Sequence, residues 1–381
     1  MGYRLLKVFV WVALAAAMPL RAQMPLSEEA RASVSTCGPG DDFYTSFGHS
    51  AIRICDAATG RDVVFNYGMF DFGDPNVYWH FMQGRLRYWV DSVATPIFLE
   101  EYRRGGRAVW EQELNLTPQE VNNLYLKLQW NAQGENRYYD YDFFTKNCAT
   151  EVRDRVLEVC GHKRAHYGVR ERMSYRDYLH LAMKDKLEWW ALGVDLLLGL
   201  PADEGCSADD AMFYPLVMQG VFAEAERDGR PLAGPSRQLL EETRGEVADS
   251  FPPFVVFTLL FVLVVLSRVC DRRLNCRVSF FKVLTRVLFV VAGLIGLFLL
   301  FMWFGTNHYC TQWNPNILWA SPMLLWIAIY MEKTPRGALW AQLGMFAVAL
   351  VWVVWCHLSV ALIPIIFTLA LCTGLLLRDK S

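Results

Sequence analysis

Three residues stand in sequence contexts that suit nucleophilic catalysis, and Cys148 is the first of them. It follows an aromatic, strand-like stretch and opens a predicted helix in the run KNCAT (146–150). A thiol at a helix N-terminus is exposed to the helix dipole and to unpaired backbone amides, which favour the thiolate and stabilise an oxyanion. The alternatives are a buried structural cysteine, since Val152, Val156 and Val159 share its helical face, or a disulfide.

His49 and Asn66 are the candidate partners of this thiol. His49 begins a predicted strand directly after Gly48, and an imidazole at a strand end beside a helix-start thiol is the arrangement that a Cys–His pair requires. A third group must hold the second ring nitrogen, and Asn66 on the returning strand is placed to do so. A structural histidine and an interstrand or turn-capping asparagine are the alternatives.

The elements that must position these residues follow the order hairpin, strand, helix, strand, helix, which predicts an α+β domain. Two alternating apolar runs, 50–56 and 62–67, flank the turn-like AATG (57–60) and predict the hairpin. Thr117, Pro118 and Glu120 form a capping box that predicts a helix start. The other predicted elements are strands 108–114 and 137–144 and helices 117–130, 148–160, 174–186, 189–199 and 210–227.

Composition narrows the class of protein. The chain has 381 residues, of which 54% are hydrophobic, and 37 Lys+Arg against 39 Asp+Glu leave a net charge of −2. This balance excludes a strongly basic nucleic-acid binder, and the high apolar content excludes a disordered chain. The sequence has no HExxH, CxxC or Walker motif, so it predicts no metal site and no cofactor.

The N-terminus predicts export. Arg4 and Lys7 precede an apolar stretch at 8–20, which is too short for a comfortable membrane span, and the small residue Ala22 follows it. We therefore predict a signal peptide at 1–22, with an uncleaved N-terminal anchor as the alternative.

The last third of the chain predicts a membrane domain. Its five apolar runs are 251–267, 287–304, 317–331, 338–356 and 358–377. The first loop between them is rich in Arg and Lys, the second (305–316) has neither, and the third carries Lys333 and Arg336. By the positive-inside rule this alternation predicts five spans with the preceding domain outside. The predicted domains are 23–235 (exported), 236–250 (linker) and 251–381 (membrane, five helices).

Cysteine usage agrees with export but leaves the pairing open. In an oxidising compartment cysteines are expected to pair, and one left over is a candidate reactive thiol. Besides Cys148, the cysteines predicted to lie on the outer side of the membrane are Cys37, Cys55, Cys160, Cys206 and Cys310.

Four motifs in order resemble the Bacteroidota lipoprotein N-acyltransferase (Lnb) family. They are FGHSAIRI (47–54), FNYGMFDF (65–72), YDFFTKNCAT (141–150) and NHYCTQWNPNILW (307–319). That family joins an exported thiol domain to a C-terminal bundle of membrane helices. The order of the His, Asn and Cys residues also resembles permuted papain-like folds, as in NlpC-type peptidases and relatives of lecithin:retinol acyltransferase.

The resemblance implies roles for residues in these motifs. Cys148 is expected as nucleophile and His49 as base, while the analogy with the permuted folds suggests Asn66 as orienter. Tyr67 and Asn147 are expected to contact substrate. For His308, a role at the lipid surface and a helix-capping role are equally open.

The implied activity is acyl transfer at the periplasmic side of the bacterial inner membrane. An acyl chain would pass from a membrane phospholipid, through a thioester on Cys148, to the N-terminal cysteine amine of a diacylated lipoprotein. The partners are then the lipid bilayer and the lipoprotein, without nucleic acid or cofactor. Two alternatives remain: a membrane-bound cysteine hydrolase with the same first half-reaction, and an exported, non-catalytic binding module.

Overall fold

The computed structural model describes residues 26–71, 73, 75–85, 87–160, 173–183, 188–245, 251–274, 278–356 and 358–380. The predicted signal peptide, 1–22, lies outside these residues. Within them an α+β domain precedes a set of apolar helices, as the sequence predicts.

The α+β domain is built on a seven-stranded sheet in which every neighbouring pair is antiparallel. The strands are β1 (Arg31–Cys37), β2 (His49–Asp56), β3 (Arg61–Met69), β4 (Arg87–Ala94), β5 (Val109–Glu113), β6 (Tyr138–Asp140) and β9 (Arg237–Leu240). Their spatial order is β6-β4-β3-β2-β1-β5-β9. A separate ribbon pairs β7 (Glu226–Arg227) with β8 (Arg230–Pro231).

The predicted hairpin is confirmed and sets the geometry of the site. β2 and β3 flank a turn at 57–60, and Ala51 pairs directly with Asn66. Because side chains alternate along a strand, His49 shares the face of Ala51 and therefore also that of Asn66. Ile52 and Ile54 point to the opposite face and are fully buried in the main core.

Helices cover both faces of the sheet. Those of this domain are α1 (Val77–Gln83), α2 (Thr95–Arg104), α3 (Pro118–Asn131), α4 (Cys148–Val159), α5 (Tyr175–Met183), α6 (Glu188–Leu197), α7 (Ala208–Ala211) and α8 (Pro215–Glu224). α3 starts at the predicted capping box, in which the Glu120 carboxylate accepts from the Thr117 N–H at 2.7 Å. Leu124 on α3 and Val152 on α4 lie in the same buried core.

Two predicted elements are wrong in extent. The strand predicted at 137–144 is confined to β6, because the Asp142 carboxylate accepts from the N–H groups of Phe144 and Thr145 and turns the chain. The helix predicted at 210–227 is divided into α7 and α8, since Pro215 cannot continue the hydrogen-bonded ladder of a helix and instead opens α8.

The predicted linker, 236–250, is also wrong over its first residues. Residues 237–240 form β9, the edge strand paired with β5. Leu239 and Leu240 pack against a small core that contains Phe98 and Tyr102 of α2, so burial of these leucines draws the segment into the sheet. Residues 246–250 lie outside the described part of the chain.

The C-terminal region contains α9 (Pro253–Leu274), α10 (Phe280–Phe304), α11 (Met323–Ile329), α12 (Arg336–Trp355) and α13 (Leu362–Arg378). Among the described residues, α9, α10 and α12 are long and apolar enough to cross a membrane. α13 is apolar but shorter.

The third apolar run, 317–331, is not the continuous helix that the sequence predicts. A 3₁₀ turn at Pro315–Leu318 and the short α11 are separated by a break that contains Pro322. A Cβ added at Gly296 of α10 would lie 1.7 Å from the Ala320 carbonyl oxygen, so the irregular backbone rests directly on α10. The break is explained by this close packing and by Pro322, which has no backbone N–H to donate within a helix.

Polar contacts gather several helix ends at one side of the bundle. The Glu332 carboxylate after α11 accepts from Nζ of Lys282 on α10 at 2.7 Å, and its carbonyl accepts from Nζ of Lys380 after α13 at 2.7 Å. Arg268 near the end of α9 pairs with Asp379. The loop after α10 lies at the opposite end of that helix, where it meets the α+β domain.

Candidate active site

Cys148 is the first residue of α4, and Asn147 is the residue that fixes this helix start. The Asn147 Oδ1 accepts from the N–H groups of Ala149 and Thr150, at 2.9 and 3.0 Å. The Thr150 hydroxyl accepts in return from the Asn147 N–H at 2.8 Å. This reciprocal capping satisfies amides that the helix leaves unpaired and holds the thiol at a defined place.

The expected substrate contact by Asn147 is not supported by its geometry. Its Nδ2 donates to the carbonyl oxygens of Phe143 and Phe213, both at 2.8 Å, and the side chain is buried. Both ends of the amide are therefore engaged within the protein. Asn147 thus caps the helix that begins with Cys148.

The Cys148 sulfur lies among backbone amides. The N–H groups of Ser50, Ala149 and Cys148 itself are directed at it and favour the thiolate, but burial outweighs them and raises the pKa of the thiol. Ser50 directly follows His49, so the start of β2 contacts the sulfur.

The backbone of β3 approaches Cys148 closely at Gly68. A Cβ on Gly68 would lie 3.4 Å from the Cys148 Cβ, and this glycine has a φ of +88° beside an irregularity in the β3–β4 register. A side chain there would be strained and would crowd the thiol. Gly68, the last residue of FNYG, therefore allows the start of α4 to pack closely against the sheet.

His49 and Asn66 form the predicted imidazole–amide pair. Nε2 of His49 lies 3.2 Å from Oδ1 of Asn66. Because an amide oxygen only accepts, Nε2 carries the proton, and in the neutral ring Nδ1 is then free to act as a base. Burial is the main cause that lowers the pKa of His49, to about 4, and the positive charge of Arg107 adds to it.

Arg107 lies near His49 and Cys148, a place that the sequence did not indicate. Its Nε donates to the Gly38 carbonyl at 2.9 Å, and its guanidinium lies 4.7 Å from the centre of the Tyr102 ring. Its charge lowers the pKa of both His49 and Cys148. No motif marks Arg107, because it reaches the site only through the pairing of β5 with β1 and of β1 with β2.

Tyr67 and His308, the other two candidate site residues, have contacts with other parts of the protein. Tyr67 is buried in the main core with its ring edge against Tyr139, on the face of the sheet opposite Asn66. His308 precedes a 3₁₀ turn without capping it, and its Nε2 donates to the Phe81 carbonyl of α1 at 2.8 Å. His308 therefore joins the membrane-domain loop to the α+β domain.

The joint between the α+β domain and the membrane domain also contains a buried polar cluster, which is centred on Asp195 of α6. Oδ1 of Asp195 accepts from Nη1 of Arg176 (3.1 Å) and Nε2 of His180 (2.8 Å), and Oδ2 accepts from the N–H of Ser359 between α12 and α13 (2.7 Å). The Asn316 side chain donates to the Asp195 carbonyl at 2.7 Å. These bonds connect the α+β domain to the membrane domain.

The cysteines that the structure describes are all free thiols. The expectation of pairing among Cys37, Cys55, Cys160, Cys206 and Cys310 is therefore not met in this structure, and Cys148 is not part of a cystine. Among the described residues no group of three or more His, Cys, Asp or Glu side chains is arranged to hold a metal ion.

Fold and site together define a membrane protein whose α+β domain places a half-buried thiol against the start of the strand that carries His49, and His49 is paired with Asn66. The Lnb N-terminal periplasmic domain matches residues 22–178, and the Lnb transmembrane domain matches residues 245–380. The chain thus belongs to the Lnb family, which the four motifs already indicated, with a periplasmic domain followed by a transmembrane region. No curated protein and no solved structure matches the chain significantly.

Proposed function

We propose that this protein is a thiol-dependent lipoprotein N-acyltransferase, with Cys148 as nucleophile, His49 as base and Asn66 as the group that orients the imidazole. Family membership suggests lipoprotein N-acylation. The observation that carries the thiol mechanism is the contact of the Cys148 sulfur with the amide that follows His49, while Nε2 of His49 is held by Asn66.

In the first half-reaction the acyl chain moves from phospholipid to enzyme. His49 removes the proton from the Cys148 thiol as sulfur attacks the ester carbonyl carbon. The amides around the sulfur are placed to stabilise the oxyanion of the tetrahedral intermediate. The lysophospholipid then leaves as an alcohol, taking the proton from His49, and a thioester remains.

In the second half-reaction the α-amine of the lipoprotein's N-terminal cysteine attacks the thioester. His49 accepts the proton that the amine loses, and the Cys148 thiolate leaves and recovers a proton from His49. The product is an N-acyl amide, and the enzyme returns to its starting state. No cofactor or metal is required by this sequence of steps.

A membrane location suits both substrates. We propose that the C-terminal region crosses the inner membrane five times, with α11 and the 3₁₀ turn before it forming an interrupted third crossing. The contacts of Glu332 with Lys282 and Lys380 support this, because they gather the cytoplasmic helix ends that the positive-inside pattern predicts. The periplasmic domain then rests on the loop at 305–316, which fixes its site relative to the lipid surface.

The periplasmic domain is proposed to be permuted papain-like. The order of its parts supports this: the histidine lies on one strand, the asparagine on the next, and the cysteine begins a helix packed on these strands. A hydrolase would share the first half-reaction, with water in place of the amine. Family membership favours transfer.

Mass spectrometry of a native lipoprotein's N-terminus tests this function. In cells that contain the protein we expect a triacylated N-terminal cysteine, and in cells that lack it a free amine on a diacylated one. Restoration by the wild-type gene is the control. Unchanged lipoproteins after deletion would contradict the transferase and favour the hydrolase.

The low pKa of His49 predicts an unusual acid limb in the pH profile. The base works only when it is unprotonated, so kcat/KM for the donor phospholipid should be lost as pH falls through about 4. An ordinary imidazole would lose it near about 6.5. Replacing Arg107 by Gln removes a charge that lowers this pKa, so the limb should move to higher pH. A wild-type limb between about 6 and 7 would contradict the lowered pKa of His49 as the base.

A further inference from the structure

The short helix α1 of the periplasmic domain lies against one end of the membrane helix α10. The Trp79 ring of α1 stacks on Phe301 of α10, with ring centres 5.8 Å apart and planes 17° apart. The N–H of Asn307, just after α10, donates to the Gln83 carbonyl of α1 at 3.0 Å. α10 is long and apolar enough to cross a membrane, and Phe301 lies within one turn of its C-terminal end. α1 therefore lies at the depth at which this helix leaves the membrane.

The aromatic side chains around this contact are exposed although they are large. Trp79 is 47% exposed, Phe304 is 73% exposed and Trp313 is 60% exposed. The Trp303 ring lies against Phe304 and Trp313, with ring centres 4.7 and 4.8 Å apart. Tryptophan is typical of the membrane–water interface, where its ring contacts both lipid and water. This surface thus has the composition of an interfacial belt, and α1 adds to it from the periplasmic domain.

An aromatic strip leads from α1 toward the thiol. It consists of Val77 of α1, which is buried with Tyr88, and of the half-buried side chains Phe70, Tyr139 and Tyr141 that pack against these two. The rings of Tyr88 and Tyr141 stack with their centres 4.1 Å apart, and the Phe70 ring lies 5.0 Å from that of Tyr88. The strip therefore forms a continuous, uncharged and largely apolar surface that begins at the membrane-facing helix.

The inner end of the aromatic strip reaches Cys148. The Cys148 Cβ and the Tyr139 hydroxyl both lie close to the point that a Cβ on Gly68 would occupy, at 3.4 and 3.9 Å. Burial is the main cause that raises the pKa of all three tyrosines of the strip, and for each of them a charge on Cys148 is the next cause. The thiol is itself half-buried and thus open to this surface.

We propose that α1 lies in the headgroup region of the periplasmic leaflet, and that the aromatic strip guides one acyl chain of the donor phospholipid to Cys148 and shelters it after transfer. This inference rests on the proposed function and adds a lipid-binding site to it. The thioester keeps a long acyl chain beside the sulfur until the amine arrives, and water around that chain is unfavourable for every CH₂ group. A polar peptide on the strip would instead lose hydrogen bonds to water.

Soluble esters of different chain length test the strip. The full chain in detergent is mixed with p-nitrophenyl butyrate or p-nitrophenyl octanoate, and acylation of Cys148 is followed by release of p-nitrophenolate and by intact mass. For the wild type we expect kcat/KM to be about tenfold higher, or more, for the octanoate. This ratio should fall toward one in Tyr141→Ser and be retained in Tyr141→Phe, which keeps the ring.

A matched control lies three residues away on β6. Tyr138→Ser makes the same change at an exposed ring outside the strip and should keep the wild-type ratio. If Tyr141→Ser does not fold, Phe70→Ser takes its place. A wild type without preference for the octanoate overturns the strip, and so does an equal loss of this preference in Tyr138→Ser.

Phospholipid in a bilayer tests the position of α1. Trp79→Ser removes the ring that stacks on Phe301. We expect the rate of Cys148 acylation by phosphatidylethanolamine in nanodiscs, divided by the rate with p-nitrophenyl butyrate, to fall about tenfold. Trp130→Ser makes the same change at an exposed site on α3 and should keep the wild-type ratio.

The outcomes of these two tests are distinct from failure of the proposed function. An unaltered ratio in Trp79→Ser, or an equal loss in Trp130→Ser, overturns lipid entry at α1. If the proposed function itself is wrong, neither the soluble esters nor the phospholipid will acylate Cys148 in the wild type.

Discussion

Replacing Cys148 by Ser is expected to reduce acyl transfer by about 10³-fold or more, because loss of a nucleophile removes the covalent route. A serine hydroxyl has a much higher pKa than a thiol, and a base whose own pKa is lowered to about 4 is too weak to deprotonate it efficiently. The fold should survive, since an oxygen at this position also accepts hydrogen bonds from the backbone amides at the start of α4. The measurement is transfer to a diacylated lipopeptide, together with the melting temperature.

The thioester itself gives a second readout for the same variant. Wild-type protein incubated with phospholipid alone should gain the mass of one acyl chain, and hydroxylamine should remove it. Cys148→Ser should gain no hydroxylamine-labile chain. Cys55→Ser removes a thiol farther along β2 and should behave like the wild type. Full transfer by Cys148→Ser would refute the covalent mechanism, and acylation of a different cysteine would reassign it.

Local sequence signals were sufficient to place the thiol and the hairpin. The run KNCAT contains both halves of the cap, Asn147 and Thr150, so the position of Cys148 at a helix start is encoded within four neighbouring residues. The turn at 57–60 fixes the register that brings His49 and Asn66 to one face. A prediction from the sequence succeeds here because the contacts that decide the geometry are short in range.

The remaining parts of the site depend on long-range pairing that no local pattern reveals. Arg107 reaches His49 through two strand pairings, and Asp195 meets Ser359 from 164 residues away. Asn147 illustrates a different failure. A polar side chain next to a nucleophile suggested a substrate contact, but the capping geometry and the carbonyls of Phe143 and Phe213 occupy its amide completely.

Replacing Asp195 by Asn is expected to destabilise the protein by about 3–5 kcal/mol, because it leaves the buried Arg176 guanidinium without one of its two carboxylate partners. Asp195 is fully buried, and Arg176 is 2% exposed. An amide in place of the carboxylate loses the charge and directs an NH₂ group toward at least one of the donors Arg176, His180 and Ser359. For a domain of this size the melting temperature should fall by at least about 6 °C.

The matched control is Asp154→Asn, which makes the same chemical change in a half-exposed pair with Arg153 and should cost no more than about 1 kcal/mol. We also expect Asp195→Asn to lower kcat/KM for both lipid substrates below the temperature at which it unfolds. Its bond to the Ser359 N–H helps to hold the periplasmic domain on the membrane helices, so the depth of the thiol relative to the lipid surface becomes less well defined. Unaltered activity with a lowered melting temperature would limit Asp195 to a role in stability, and an unaltered melting temperature would show that the joint does not depend on this buried charge.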